Sequence, residues 1–173
     1  MYLGVSFDHD VGKSGEMGGS GGKSAAMFIG SFQHNIDSKG RVSIPVRFRE
    51  VLQGRFEENL IVTSDFDGCL VAYPKEEWQT IAEKAKSLPM MQKEVKEFMR
   101  FFYSGAVECP LDKQGRILIT PELREYAGIN KEVILVGMYS KIEIWNIAKW
   151  REMEQAASRN SARISESLAS LGL

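Results

Sequence analysis

The sequence predicts a β-rich α+β fold, made of two tandem copies of one small unit related by a pseudo-two-fold within the chain. Two observations predict the duplication. The segment Asp37-Ser38-Lys39-Gly40-Arg41-Val42-Ser43-Ile44-Pro45 returns as Asp112-Lys113-Gln114-Gly115-Arg116-Ile117-Leu118-Ile119-Thr120-Pro121. The likeness also runs outward from this motif, pairing Gly30 with Gly105, Phe32 with Val107, Ile36 with Leu111 and Arg49 with Arg124. After a slip of a few residues, 60–63 match 133–136, 70–73 match 142–145, and Trp78 matches Trp150. A third observation gives the class: short runs of alternating apolar residues, separated by glycine turns, are strands.

Taken in order, residues 1–26 form a leader of a different kind. It ends in a Gly/Ser-rich stretch, which predicts flexibility, and it lacks the apolar core of a signal peptide. Met27 opens the structured chain and could be the natural start. The first copy is expected over 27–89. Phe28 to Ile36 reads as a strand, Ser38-Lys39-Gly40 as a tight turn, and 41–44 as a strand with Val42 and Ile44 on one face. Pro45 ends that strand, and a short helix carries Phe48, Val51 and Leu52. Residues 60–73 predict a hairpin turning at Asp67-Gly68. Pro74 is placed to open the first turn of a helix with Trp78, Ile81, Ala82 and Ala85.

A linking helix is expected over 90–104. Its stripe of Met91, Val95, Phe98 and Phe102 faces a core or another subunit. The second copy, 105–153, repeats the order, with a hairpin over 133–145 turning near 138–141. Its helix carries Ile147, Trp150 and Met153. A helical tail over 154–173 runs toward Ile164 and Leu168. Each copy has roughly 50 residues, near the lower limit for an independent core, so the copies are expected to share one or lean on other subunits.

The 173 residues carry a net charge of −1, so bulk charge does not announce a nucleic-acid binder. Its distribution says more. Residues 30–56 hold five basic side chains (Lys39, Arg41, Arg47, Arg49, Arg55) against Asp37 and Glu50, a net of +3. Residues 105–126 hold Lys113, Arg116 and Arg124 against Glu108, Asp112, Glu122 and Glu125, a net of −1. The first copy therefore attracts phosphate more strongly.

Catalytic chemistry finds no footing. Gly12-Lys13-Ser14 and Gly22-Lys23-Ser24 echo a phosphate-binding loop, but Phe7 and Met17 stand where its first glycine is needed. His9 and His34 are the two histidines, and no set of ligands has metal-site spacing. His34 reads as a surface or polar-packing residue. No nucleophile signature is present. Cys69 and Cys109 lack C-x-x-C spacing and fit two free thiols in a reducing cytosol. No apolar run reaches membrane-spanning length. The expectation is a non-enzyme without cofactor or metal.

An aspartate before a glycine turn accepts backbone N–H bonds and can brace an arginine four residues on. For Asp37 and Asp112, with Gly40 and Gly115, that structural role is the best reading. Arg41 and Arg116 are open between simple pairing with their aspartates and bidentate donation to guanine or phosphate.

These residues carry a resemblance. The doubled Asp-x-x-Gly-Arg loop with apolar-x-Ile beyond it, and hairpins ending in Tyr73 and Ile144-Trp145, resembles the MraZ family. That family is of the AbrB/MazE-like swapped-hairpin superfamily, and the resemblance spans Met27 to about Leu168. It implies a swapped-hairpin-like unit and a bacterial transcriptional regulator, chiefly a repressor, of the division and cell-wall gene cluster. It also implies a cytoplasmic, nucleoid-associated ring of about eight subunits on double-stranded DNA with short G-containing direct repeats. Carried over here are Asp37 with Arg41 and Asp112 with Arg116. Lys39, Arg47 and Arg49 are plausible phosphate contacts by charge and position. Gln114 in place of Lys39, and the acidic second copy, predict unequal copies. The alternative class is an antitoxin-like protein-interaction module.

Overall fold

A computed structural model describes residues 27–55 and 59–172. The expected leader, with His9 and both Gly-Lys-Ser triplets, lies outside them. Alternation builds the first strand, β1 (Phe28–Asn35), with Phe28 buried. A turn leads to the short β2 (Arg41–Ser43) and then to helix α1 (Val46–Arg55). The hairpin β3 (Asn59–Ser64) and β4 (Leu70–Pro74) follows, turning through Gly68 at φ +77°.

Helix α2 (Lys75–Lys86) has Pro74 at its N-cap, so the proline closes β4 and caps the helix from outside. Helix α3 spans Lys93–Ser104, shorter than the expected 90–104. Gln92 caps it, and Met91 of the predicted stripe precedes it, 87% exposed. Phe98 and Phe102 do face a core, against Val71 and Tyr73.

The second copy repeats the order with β5 (Val107–Pro110), β6 (Arg116–Leu118), α4 (Pro121–Ala127), β7 (Glu132–Tyr139) and β8 (Lys141–Asn146). The expected continuous C-terminal helix is two helices, α5 (Ile147–Arg159) and α6 (Ser161–Ser170), broken at Asn160 with φ −100° and ψ 14°.

The copies exchange strands. The large antiparallel sheet has the order β1-β7-β8-β4-β3-β5, so the first strand of each copy pairs with the hairpin of the other. Registers match across the exchange. Phe32 sits opposite Leu135, and its repeat mate Val107 sits opposite Val62, the mate of Leu135. At the centre β4 pairs with β8, with Val71 opposite Glu143. The second sheet is β2 with β6, with Val42 opposite Ile117. Both pairs join repeat mates, so the pseudo-two-fold axis passes through them.

The main core lies between the two sheets under α1 and α4. It draws ten buried residues from each copy, among them Val42, Leu70, Ile117 and Ile144, all at 2% exposure or less. Interleaved burial of this kind makes the main core a joint product of both copies.

Candidate nucleic-acid interface

The two Asp-x-x-Gly-Arg segments are turns with one geometry. Asp37 Oδ1 accepts the backbone N–H of Lys39 and of Arg41, each at 2.9 Å. Asp37 Oδ2 accepts Arg41 Nε at 2.8 Å and pairs with Arg41 Nη2 at 2.8 Å. In the second turn Asp112 Oδ1 accepts from the N–H of Gln114 at 2.9 Å and of Arg116 at 3.0 Å. Asp112 Oδ2 accepts Arg116 Nε at 2.8 Å and Nη2 at 2.7 Å. Each turn needs a left-handed residue, supplied by Gly40 at φ +82° and Gly115 at φ +71°.

These bonds set the carboxylates' acidity. Backbone donation from Arg41, followed by its side chain, holds Asp37 below the usual carboxylate range. The Arg116 side chain, followed by its backbone N–H, lowers Asp112 to about 2. Both aspartates are thus charged at any physiological pH and lock their arginines.

The β2–β6 pair brings the turns together. Ser43 is opposite Arg116 and Arg41 is opposite Leu118. Arg116 Nη1 lies 3.9 Å from Asp37 Oδ2, an ion-pair contact from one copy's arginine to the other's aspartate. The arginine side chains are 32% (Arg41) and 24% (Arg116) exposed. Each carboxylate occupies the Nε–Nη2 edge of its guanidinium, which fixes the plane, and the remaining Nη1 of Arg116 is the atom that reaches the other copy's Asp37.

The surroundings differ. Lys39, in the first turn, is exposed, and its equivalent in the second turn is Gln114. Because Ile44 bonds to Gly115 and Ile119 to Gly40, the start of α1 with exposed Arg47 adjoins the second turn, and the start of α4 with Glu122 adjoins the first. Arg49 is placed differently from Lys39 and Arg47. Its Nε donates to the Ile44 carbonyl at 3.2 Å, and its chain runs beneath Gly115. Arg124, absent from the sequence-based set, lies in the mirror position beneath Gly40. Its signal was the repeat itself, which pairs it with Arg49.

Other sequence candidates stay apart from this face. His34 sits on β1 opposite Val133, where burial pushes its pKa down. Cys69 and Cys109 are buried and free, and burial raises their thiols to about 12 and about 11. Among the described residues, no cluster of His, Cys, Asp or Glu could hold a metal. Among them, no helix is long and apolar enough to cross a membrane.

The family model described as "MraZ protein, putative antitoxin-like" matches this chain twice, over residues 27–101 and 102–170. The chain belongs to the MraZ family. Several curated relatives carry the name "Transcriptional regulator MraZ". One from Desulfitobacterium hafniense (strain Y51) is 48% identical over 147 residues, covering 85% of this chain and 100% of the relative. One from Desulforamulus reducens is 47% identical over 145 residues, covering 84% and 99%. One from Pelotomaculum thermopropionicum is 48% identical over 147 residues, covering 85% and 99%. The duplicated turn thus belongs to a family of transcriptional regulators, which is not a family of enzymes.

Proposed function

We propose that the chain is a sequence-specific DNA-binding regulator, chiefly a repressor, of the bacterial division and cell-wall gene cluster. It binds short G-containing direct repeats in double-stranded promoter DNA. Its working form is a ring-like homo-oligomer of about eight subunits, cytoplasmic and associated with the nucleoid. The observation that carries this reading is the pair of aspartate-anchored arginines held side by side by β2 and β6.

A guanidinium fixed along one edge has little conformational entropy left to lose, and its other edge can donate to guanine O6 and N7 or to a phosphate. Arg41 and Arg116 take that part. Asp37, Asp112, Gly40 and Gly115 form their mounts. Lys39 and Arg47, both exposed, supply phosphate contacts that set position and salt dependence. One subunit makes a modest contact. A ring offers many such faces, so spaced repeats engage several at once and effective concentration raises affinity without new contacts. Multivalency of this kind reconciles DNA binding with a net charge of −1. Protein seated on the repeats would block polymerase.

The test is a mobility shift on repeat-containing duplex from the chain's own upstream region, with scrambled duplex beside it. Arg41→Ala should lose the specific shift while light scattering reports unchanged subunit number. Undiminished affinity of Arg41→Ala and Arg116→Ala across a salt series removes the proposed role. The words "antitoxin-like" in the family description favour a second reading, a protein-interaction module. A co-purifying basic partner, with no shift of repeat DNA, would decide for it.

A further inference from the structure

The two turns are mounted crosswise. Arg49 leaves α1 in the first copy and passes under the turn of the second: a Cβ at Gly115 would lie 2.5 Å from its Cδ and 2.8 Å from its Nε. Arg124 leaves α4 in the second copy and passes under the turn of the first: a Cβ at Gly40 would lie 3.2 Å from its Nε and 3.3 Å from its Cζ. The backbone crosses in the same sense. Ile44 N–H donates to the Gly115 carbonyl, and Ile119 N–H donates to the Gly40 carbonyl, each at 2.9 Å.

The mates differ in one respect. Arg49 Nε has the Ile44 carbonyl, whereas Arg124 Nε is buried with no hydrogen-bond partner among the described residues. A buried unpaired donor costs stability, so stability alone does not account for an arginine there. A guanidinium wedged under a turn does two other things. It fixes the height and tilt of the turn, and it adds positive potential directly behind the face that carries Arg41 and Arg116.

We propose that Arg124 and Arg49 are positioning residues acting across the pseudo-two-fold. Arg124 sets the Asp37–Arg41 turn and Arg49 sets the Asp112–Arg116 turn. The functional half of this proposal rests on the DNA-binding reading above; the structural half does not. Neither arginine needs to touch DNA, and a change in one copy is felt at the turn of the other.

Amide hydrogen exchange on the full chain, combined with titration of the repeat duplex, tests it. In Arg124→Met, which keeps an unbranched stem and removes the guanidinium, exchange over 37–41 should rise about tenfold while 112–116 stay protected. Arg49→Met should give the reverse. Affinity for the duplex should fall in both, by about tenfold, with subunit number unchanged. Loosening of a variant's own turn, of both turns alike, or of neither overturns the crossed mounting. Crossed loosening with undiminished affinity overturns the positioning role. Should Arg124→Met not fold, Arg124→Lys retains stem and charge without the planar head, and must loosen 37–41 alone. Failure of the DNA-binding reading looks different: the unmodified protein then leaves the duplex unshifted, whatever the exchange pattern.

Discussion

Exchanging the side chains at Lys39 and Gln114 isolates the charge difference between the copies. Both residues sit two positions after their aspartate, and both donate their backbone N–H to its Oδ1 at 2.9 Å. Those bonds survive any side-chain change. Lys39 is exposed, so Lys39→Gln should alter stability by no more than about 0.5 kcal/mol. Its effect on DNA should be electrostatic. One phosphate contact contributes about −0.9 to the slope of log affinity against log salt. Over a fourfold rise from about 50 to about 200 mM, that is about a 3.5-fold loss per contact, and about 12-fold where two subunits engage. Lys39→Gln should flatten the slope by about 0.9 per engaged subunit, and Gln114→Lys should steepen it by a similar amount. Fluorescence anisotropy on a labelled repeat duplex over the salt series measures both. Unchanged slopes, or a slope that moves in Lys39→Gln but not in Gln114→Lys, would refute the idea that both turns face phosphate in equivalent positions.

Three more predictions concern the mount and the core. Gly115→Ala forces a left-handed alanine and drives its Cβ into Arg49, at a cost of about 1–2 kcal/mol or more in urea denaturation; an unchanged midpoint would contradict the crossed packing. Cys69 and Cys109, raised to about 12 and about 11 by burial, should resist a thiol reagent at pH 8 in the native protein and react only after unfolding; rapid native labelling would show the core is open. Asp112 is held at about 2, below its ordinary 3.8, so its stabilising contribution is full above the unfolded value and is lost as pH falls through the folded one. An acid titration of the folded state should therefore steepen between about pH 4 and about pH 2, and Asp112→Asn should blunt that limb. Identical acid limbs in the two proteins would show that the aspartate is not held by its arginine.

Local features of the fold were legible in the sequence. Asp37, Gly40 and Arg41 lie within five residues, so the turn follows from short-range chemistry. Alternation around Val42 and in 60–73 marks strands for the same reason. What alternation does not name is a partner. Nothing in the pattern of β1 says that it pairs with β7 instead of its own hairpin; only the resemblance implied an exchange of strands. The linking helix was drawn too early because Met91 fits a helical period with Val95, although the capping residue is Gln92. The tail was drawn as one helix because its apolar spacing continues through Asn160, where the backbone does not. Charge and position in the sequence make Arg49 a candidate phosphate contact, since a charge count does not see what lies above the side chain. Its position depends on a glycine in the other copy, a contact no local window contains.

The exchange of strands also bears on what such a unit can read. A symmetric dimer of identical subunits presents identical half-sites and so matches a palindrome. Here the two-fold is kept in the backbone, in the Val42–Ile117 and Val71–Glu143 pairs. One core serves both copies, so they stay locked together without any constraint on surface side chains. Fusion into one chain therefore releases the turns from carrying the same charges. Lys39 in one turn and Gln114 in the other use that freedom. The resulting face is symmetric in shape and unequal in charge, so the two senses of a duplex passing across it are inequivalent. Direct repeats, the target proposed above, impose the same condition on whatever binds them: every site runs the same way, and every reader in the proposed ring must be able to tell which way that is.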